Sequence, residues 1–199
     1  MTLASQKKYF VRTVLLVLAF AILGCGQPAD EPSSEVKHIL LPPNEVGLTR
    51  RIHEEAIDVC LTNGGENIIR RFISESIHEW LMPMREINPR VTNIVRFTCP
   101  GHVDITINSG QGRAHTYLNR YPAIYIYEED PYLPYKILHE IGHAFGLDDT
   151  YEAQGGTCMS EQDSSVMCHA NSRFLQEDDI EGARNLFMRT WGFFAPIED

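Results

Sequence analysis

Basic residues are scarce in this 199-residue chain, and they form no cluster. Residues 1–24 hold three of its 17 Lys and Arg and none of its 27 Asp and Glu, so 14 basic and 27 acidic residues remain beyond them and give a net charge of −13. Phosphates repel a chain this acidic, and the sequence has no basic patch of the kind that binds nucleic acid. We therefore expect no nucleic-acid partner.

Long apolar runs are absent except near the N-terminus, where Val14–Leu23 follows three basic residues. This run is too short to span a membrane comfortably and has the layout of a secretory signal. Ile22-Leu23-Gly24-Cys25 resembles the bacterial lipobox, whose cysteine carries the lipid. We expect a lipoprotein signal peptide over residues 1–24 and a membrane anchor at Cys25, facing the periplasm or the cell exterior. The alternative is an ordinary signal peptide with an incidental cysteine.

Cysteines at the two-residue spacing of metal-binding motifs are also lacking, which argues against a Cys-rich metal site. With Cys25 assigned to lipid, an even number of cysteines remains: Cys60, Cys99, Cys158 and Cys168. An exported protein keeps disulfides. Three pairings of these four cysteines are open from the sequence alone.

Periodic apolar residues are missing from the segment after Cys25. Residues 25–47 are polar and interrupted by proline, which predicts a flexible tether. Residues 48–199 are enough for one domain with a sizeable core. We expect a monomer with no internal repeat.

One short stretch, by contrast, is rich in side chains that can bind a metal. His139 and His143 are four residues apart, so on a helix they project from one face and can bind one zinc ion. Glu140 lies off that face, close enough to act as general base on a metal-bound water. Gly146 predicts a left-handed helix end, and the reversal would bring Asp149 to the metal as third ligand, which leaves one position open, as in catalytic zinc. The histidine pair alone also arises by chance in unrelated helices.

The longer pattern, from His139 through Gly146 and Asp149 to Ser165-Val166-Met167, resembles the metzincin clan of zinc endopeptidases. That clan combines His-Glu-x-x-His-x-x-Gly-x-x-His with a downstream methionine turn. Asp149 stands where the clan usually has histidine, which resembles its snapalysin-type variant. The resemblance implies one catalytic Zn²⁺, held by His139, His143 and Asp149, with Glu140 as base.

Four residues in or near this pattern carry further expectations. Met167 should pack beneath the imidazoles without binding the metal. His169 stands where many metzincins have tyrosine, and we treat it as a candidate for substrate or transition-state contact; Tyr151 is a weaker one. Because adjacent side chains in an extended stretch point to opposite sides, Asp148 should face away if Asp149 binds.

The order of predicted elements is strand, helix, four strands, helix. Alternating or continuous apolar runs predict the strands, and helical periodicity predicts the helices: strands Ile57–Leu61, Val91–Cys99, Val103–Asn108, Arg113–Leu118 and Ala123–Tyr127; helices from Glu66 to Met82, from Pro134, and over Phe174–Phe187. This order resembles the metzincin fold, including its matrixin members. It implies an α+β fold with a mixed, twisted five-stranded sheet, an antiparallel edge strand, two long helices, a methionine turn and a C-terminal helix.

The same resemblance implies a disulfide pairing. The first two strands of that fold lie side by side and parallel, so the cysteines at their ends, Cys60 and Cys99, could meet. The remaining pair, Cys158 and Cys168, would then close the loop beside the active site.

The function implied is zinc-dependent endopeptidase activity on extracytoplasmic proteins or peptides, with the substrate added as a strand along Arg113–Leu118. Two alternatives stay open: a zinc hydrolase of another amide, such as cell-wall peptides, and a lipid-anchored binding module with a structural metal. The remaining histidines lack ligand spacing and are not expected at the metal: His38, His53, His78, His102 and His115.

Overall fold

The computed structural model describes residues 47–63, 66–149, 165–168 and 174–194, the last four of these by their backbone only. All of them belong to one compact unit. The helices are α1 (Asn67–Ile87), α2 (Leu133–Phe145) and α3 (Glu177–Phe194), and a 3-10 turn covers Leu48–Arg50. The strands are β1 (Ile57–Thr62), β2 (Val95–Phe97), β3 (Val103–Asn108), β4 (His115–Tyr117) and β5 (Ala123–Tyr127). The predicted signal peptide, Cys25 and the tether lie outside the described residues, apart from Gly47.

The five strands form one mixed sheet in the order β2-β1-β3-β5-β4. The neighbours β2, β1, β3 and β5 are parallel, whereas β4 runs antiparallel to β5 at the edge. In β3 the residues Val103, Ile105 and Ile107 are buried and alternate with more exposed ones, which is the pattern of a sheet with one face on the core. The expected α+β architecture with an antiparallel edge strand is confirmed.

Helix α1 is longer than the sequence predicts. We expected it to end at Met82 because Pro83 cannot donate the next backbone hydrogen bond, but the helix passes through Pro83 and ends at Ile87. The expected end is wrong because the apolar face continues: Met84, four residues after Trp80, is fully buried with it. Burial of one more apolar turn outweighs the missing bond.

Helix α2 begins and ends as its sequence predicts. Pro134 lies in its first turn, where a missing N–H costs nothing. Gly146 ends the helix in the left-handed region with φ of 115°, and its N–H donates to the carbonyl oxygen of His143 at 2.8 Å. This turn sends the chain back toward the face that carries the two histidines.

Two strands are shorter than expected. Val91 and Thr92 precede β2 instead of joining it, because they are buried as a loop. The Thr92 N–H donates to the Ile52 carbonyl at 2.7 Å, and its hydroxyl donates to the Glu55 carbonyl at 2.9 Å. Strand β4 is limited to three residues, His115–Tyr117.

The C-terminal helix is displaced relative to the sequence prediction. α3 starts at Glu177 rather than Phe174 and continues to Phe194 rather than Phe187. The start lies later because the Asp179 carboxylate, in the first turn, accepts the Gln176 N–H at 2.8 Å and so caps the helix start. The 3-10 turn over Leu48–Arg50 packs on the end of α2, because the Thr49 hydroxyl donates a hydrogen bond to the Phe145 carbonyl oxygen.

The expected disulfide between Cys60 and Cys99 is present. Cys60 lies in β1, and Cys99 lies just after the end of β2. The two cysteines are 39 residues apart in the sequence, with α1 between them, and the bond links the two parallel strands β1 and β2. A disulfide suggests an extracytoplasmic location. Among the residues described, no helix is both long and apolar enough to cross a membrane.

Candidate metal centre

Three ligand atoms converge at the C-terminal half of α2. His139 Nε2, His143 Nε2 and Asp149 Oδ1 lie 3.2 Å from one another in all three pairs. The two histidines share a helix face, and the left-handed turn at Gly146 brings Asp149 back to them. Within the described residues, this is the group of at least three His, Cys, Asp or Glu side chains that could hold a metal ion.

The hydrogen bonds of the two imidazoles fix which nitrogen faces the centre. His139 Nδ1 lies 2.8 Å from the Val166 carbonyl oxygen, and His143 Nδ1 lies 2.8 Å from the Leu147 carbonyl oxygen. A carbonyl only accepts, so each Nδ1 carries a proton and donates it. In the neutral imidazoles, both Nε2 lone pairs then point into the centre, the orientation of metal-binding histidines.

The donor set fits zinc. Three ligands at about 2.0 Å from one tetrahedral ion lie about 3.3 Å apart, close to the 3.2 Å between each pair of atoms here. Two neutral imidazoles and a carboxylate are ordinary zinc ligands, and three protein ligands leave a fourth position for water or substrate. Without a cation, two nitrogen lone pairs and a carboxylate oxygen would repel one another.

The charge balance around His143 favours a cation. Burial acts to lower its pKa, but the hydrogen bond and charge of Asp149 lead the opposing effects, and overall the pKa of His143 lies above its ordinary value. A proton is one cation that can satisfy this carboxylate, and a metal ion is another. Protons and metal therefore compete for the same nitrogen, and acid should weaken metal binding.

Asp148 is oriented differently from its neighbour. Its Oδ1 accepts the backbone N–H of Asp149 at 2.8 Å, so its carboxylate turns back onto the chain. It lines the cleft but is not part of the three-atom group. The structure therefore places Asp149, rather than Asp148, with the histidines.

Glu140 lies beside the three-atom group and is buried, with 5% of its surface exposed. Its Oε2 accepts a hydrogen bond of 2.6 Å from the Thr116 hydroxyl on β4. Both residues line a cleft of about 570 Å³ between β4 and α2, together with the three candidate ligands. A carboxylate in this position can exchange a proton with a molecule bound in the cleft.

Met167 lies beneath the helix that carries the histidines and is fully buried. A Cβ on Gly142 would lie 2.5 Å from Met167 Sδ and 2.7 Å from the Trp80 ring, both closer than real contacts allow. Trp80 also donates its Nε1 proton to the Leu138 carbonyl at 2.8 Å. Met167 and Trp80 therefore pack against α2 at Gly142, the residue before His143, and the position of Met167 beneath the imidazoles stays a prediction.

Asp179 fixes the segment around Met167, and the sequence analysis missed it. Its buried carboxylate accepts the Ser165 hydroxyl at 2.6 Å and the Val166 N–H at 2.9 Å. Because the Val166 carbonyl holds His139, Asp179 is two hydrogen bonds from a candidate ligand. Its position in the sequence gave a signal: Asp179 falls four residues after buried Leu175 and four before buried Ala183, within the apolar face of α3.

Thr116 was missed as well. The prediction of a strand over Arg113–Leu118 marked this segment as the substrate edge but gave its side chains no role. Strand alternation was the available signal, because it places Thr116 on the face opposite His115 and Tyr117.

Three predicted site residues lie outside the described residues: His169, Tyr151 and Cys158. His38, which is not expected at the metal, also lies outside them. Cys168 is disulfide-bonded, and its pairing with Cys158 stays a prediction. Of the described histidines, His53, His78, His102 and His115 are not part of the three-atom group. His115 does line the cleft, stacked on Tyr125 with ring centroids 4.9 Å apart.

No family model matches the chain, and no curated protein does. Among solved structures, myroilysin is similar with 22% identity and a TM-score of 0.35, over 48% of this chain and 49% of that one, so the chain spans about half of myroilysin. The "GM1 bound form of the ECX AB5 holotoxin" has 11% identity and a TM-score of 0.46, over 76% of this chain and 89% of that one. The chain's own residues assemble a His-His-Asp group that could hold a metal ion and that lines the cleft between β4 and α2.

Proposed function

We propose that this protein is a zinc-dependent metalloendopeptidase of the metzincin type, with Asp149 as third ligand. The observation that carries the proposal is the triangle of three ligand atoms, 3.2 Å on each side, next to the buried carboxylate of Glu140. A structural zinc site would need a fourth protein ligand and no acid or base. Among the described residues the group has three ligands beside a buried glutamate, and this arrangement favours hydrolysis.

Zinc bound by His139, His143 and Asp149 would supply Lewis-acid chemistry, polarising the scissile carbonyl and making water a better nucleophile. Glu140 then removes a proton from the attacking water and delivers it to the leaving amine. Val166 and Leu147 keep each imidazole in the tautomer that leaves Nε2 for the metal.

Strand β4 is the proposed substrate-binding element. It lies at the sheet edge and is paired on one side with β5. Among the described residues no strand pairs with its other side, where an extended peptide could add as a further strand. Such a peptide would lie over the cleft, between β4 and the histidines. Recognition by backbone pairing admits peptides of many sequences, which favours an endopeptidase.

We also propose that the enzyme acts outside the cytoplasm. The Cys60–Cys99 disulfide supports this location. Anchoring by lipid at Cys25 and a monomeric state stay predictions. Membrane fractionation of the parent and of a Cys25→Ala variant would test the anchor, which should be lost in the variant.

The test is digestion of an unfolded protein and of cell-wall peptides by the purified chain, with and without a chelator, read by mass spectrometry. We expect internal cleavage of the unfolded protein that stops with chelator and returns with zinc. Cleavage of cell-wall peptides alone would replace the proposal by the narrower amide hydrolase. No cleavage of either, with zinc bound, would indicate a binding module.

Glu140→Ala provides the mechanistic control. The variant should bind zinc like the parent and lose two to four orders of magnitude in rate, the usual contribution of a general base. Glu128→Ala, an exposed carboxylate after β5, is the matched control and should keep the parental rate. A Glu140→Ala variant that cleaves at the parental rate with zinc bound would refute the assigned role.

A further inference from the structure

A single hydroxyl connects the proposed substrate strand to the proposed base. Thr116 Oγ1 lies 2.6 Å from Glu140 Oε2 and 3.2 Å from the Glu140 carbonyl oxygen. An ionised carboxylate only accepts, so the threonine donates its one proton, and the shorter distance assigns that proton to Oε2. One oxygen of the carboxylate is thereby held from β4.

The position of this hydroxyl depends on sheet pairing. Thr116 is the middle residue of β4 and is opposite Ile124 of β5 in the antiparallel ladder. Ile124 is buried, so this register turns Thr116 toward the core side and α2. His115 and Tyr117 point to the other face, where both rings contact Tyr125. A register shift of one residue would remove the hydroxyl from Glu140.

We propose that Thr116 is a positioning residue for Glu140, and this inference rests on the proposed peptidase function. Its hydroxyl fixes Oε2 and so directs Oε1 toward the water that is to be deprotonated. Because a general base must lie within hydrogen-bond reach of the proton it removes, loss of this bond should affect the rate more than substrate or metal binding.

The strand gives the bond a second consequence. A peptide that pairs with the outer edge of β4 restrains the same three-residue strand that holds Glu140. Substrate binding therefore steadies the base at the moment when it is needed. A short peptide that cannot pair along β4 should lose this benefit, and its turnover should depend less on Thr116.

Three variants of the full chain test the proposal. Thr116→Val removes the hydroxyl and keeps the shape and strand preference of the side chain. Thr116→Ser keeps the hydroxyl. Thr106→Val is the matched control: it removes a hydroxyl of β3 that lies 3.0 Å from the Thr62 hydroxyl. Each variant is measured for kcat and KM on an unfolded protein and on a short peptide, for zinc affinity and for melting temperature.

We expect Thr116→Val to lose about 10- to 100-fold in kcat, as small misplacements of a catalytic group do, with KM and zinc affinity close to parental values. Thr116→Ser should restore most of the rate, and Thr106→Val should retain it. In a Glu140→Ala background, Thr116→Val should cause no further loss. If Thr116→Val does not fold, Thr116→Ala, which also lacks the hydroxyl, is measured in its place.

Two failures are distinguishable. A parent enzyme without chelator-sensitive cleavage overturns the proposed function and the role of Thr116 with it. An active parent whose Thr116→Val variant keeps its kcat overturns only the role of Thr116. A loss that Thr116→Ser fails to restore, or one that appears in KM or zinc affinity, would show a structural role instead.

Discussion

Replacement of Asp179 by alanine should both destabilise the protein and weaken metal binding at the proposed site. The carboxylate is fully buried and accepts hydrogen bonds from two regions of the chain. The Gln176 N–H at the start of α3 is 2.8 Å away, and the Ser165 hydroxyl and Val166 N–H are 2.6 and 2.9 Å away. Alanine would remove the acceptor of these three hydrogen bonds.

The expected loss of stability follows from these bonds. Each lost hydrogen bond to a charged carboxylate costs roughly 1.5–3 kcal/mol, and because neighbouring terms are not additive, about 3–5 kcal/mol is a reasonable total. For a chain of this length that corresponds to a melting temperature lower by roughly 10 °C. Asp179→Asn should cost less, since one amide oxygen can still accept the two N–H groups while Ser165 reverses its hydroxyl to accept from the amide.

The effect on the metal passes through the Val166 carbonyl, which holds His139 Nδ1 at 2.8 Å. Loss of such an outer hydrogen bond typically weakens metal binding 10- to 100-fold. Thermal denaturation and zinc titration should rank the three proteins in the same order. The parent should have the highest melting temperature and zinc affinity, Asp179→Asn intermediate values and Asp179→Ala the lowest. Asp178→Ala is the control, because that partly exposed neighbour should cost at most about 1 kcal/mol, as a charge near a helix start. Equal effects of the Asp178 and Asp179 variants would refute the reasoning.

Three further predictions concern single contacts. Asp149→Ala should lose zinc and activity together, whereas Asp148→Ala should retain most of both in metal analysis; the reverse result would shift the assigned ligand by one residue. The hydrogen bond and charge of Arg96 lower the pKa of Asp58. The pair therefore stabilises the fold fully at pH values above the ordinary pKa of an aspartate, and this contribution disappears as the pH falls through the lowered pKa. The melting difference between the parent and Asp58→Asn should therefore vanish in acid; a difference independent of pH would contradict this. Replacement of Cys60 and Cys99 by serine removes this disulfide and leaves that of Cys168; it should cost about 2–4 kcal/mol of stability, measured by denaturant unfolding, and unchanged unfolding would show that the bridge contributes nothing.

Local chemistry made the metal group predictable from the sequence. His139 and His143 needed only helix periodicity, and Asp149 needed only the left-handed turn that Gly146 favours. The spacing of these residues in the sequence determines their relative positions, because all of them lie in one helix or in the turn that ends it. The alternation of Val103–Asn108 and Ala123–Tyr127 likewise fixed two strands at their observed bounds.

Interactions between distant segments could not be predicted in the same way. Thr116 reaches Glu140 only through the pairing of β4 with β5, and Asp179 reaches Val166 only through the docking of α3. The prediction that α1 ends before Pro83 was wrong for a related reason. The local rule for proline predicts a helix end there, but burial of Met84 in the core favours another helical turn. Each miss concerns a residue whose partner lies elsewhere in the chain.

The close approach at Gly142 has a consequence for recognising proteins built like this one. Because Met167 and Trp80 occupy the space where a side chain would extend, the residue before His143 is constrained although it neither binds metal nor transfers a proton. A search pattern of His-Glu-x-Gly-His, joined to a later methionine and an earlier tryptophan, describes this architecture better than the two histidines and the glutamate alone. Sequences with a bulkier residue there would have to support their histidines by a different packing.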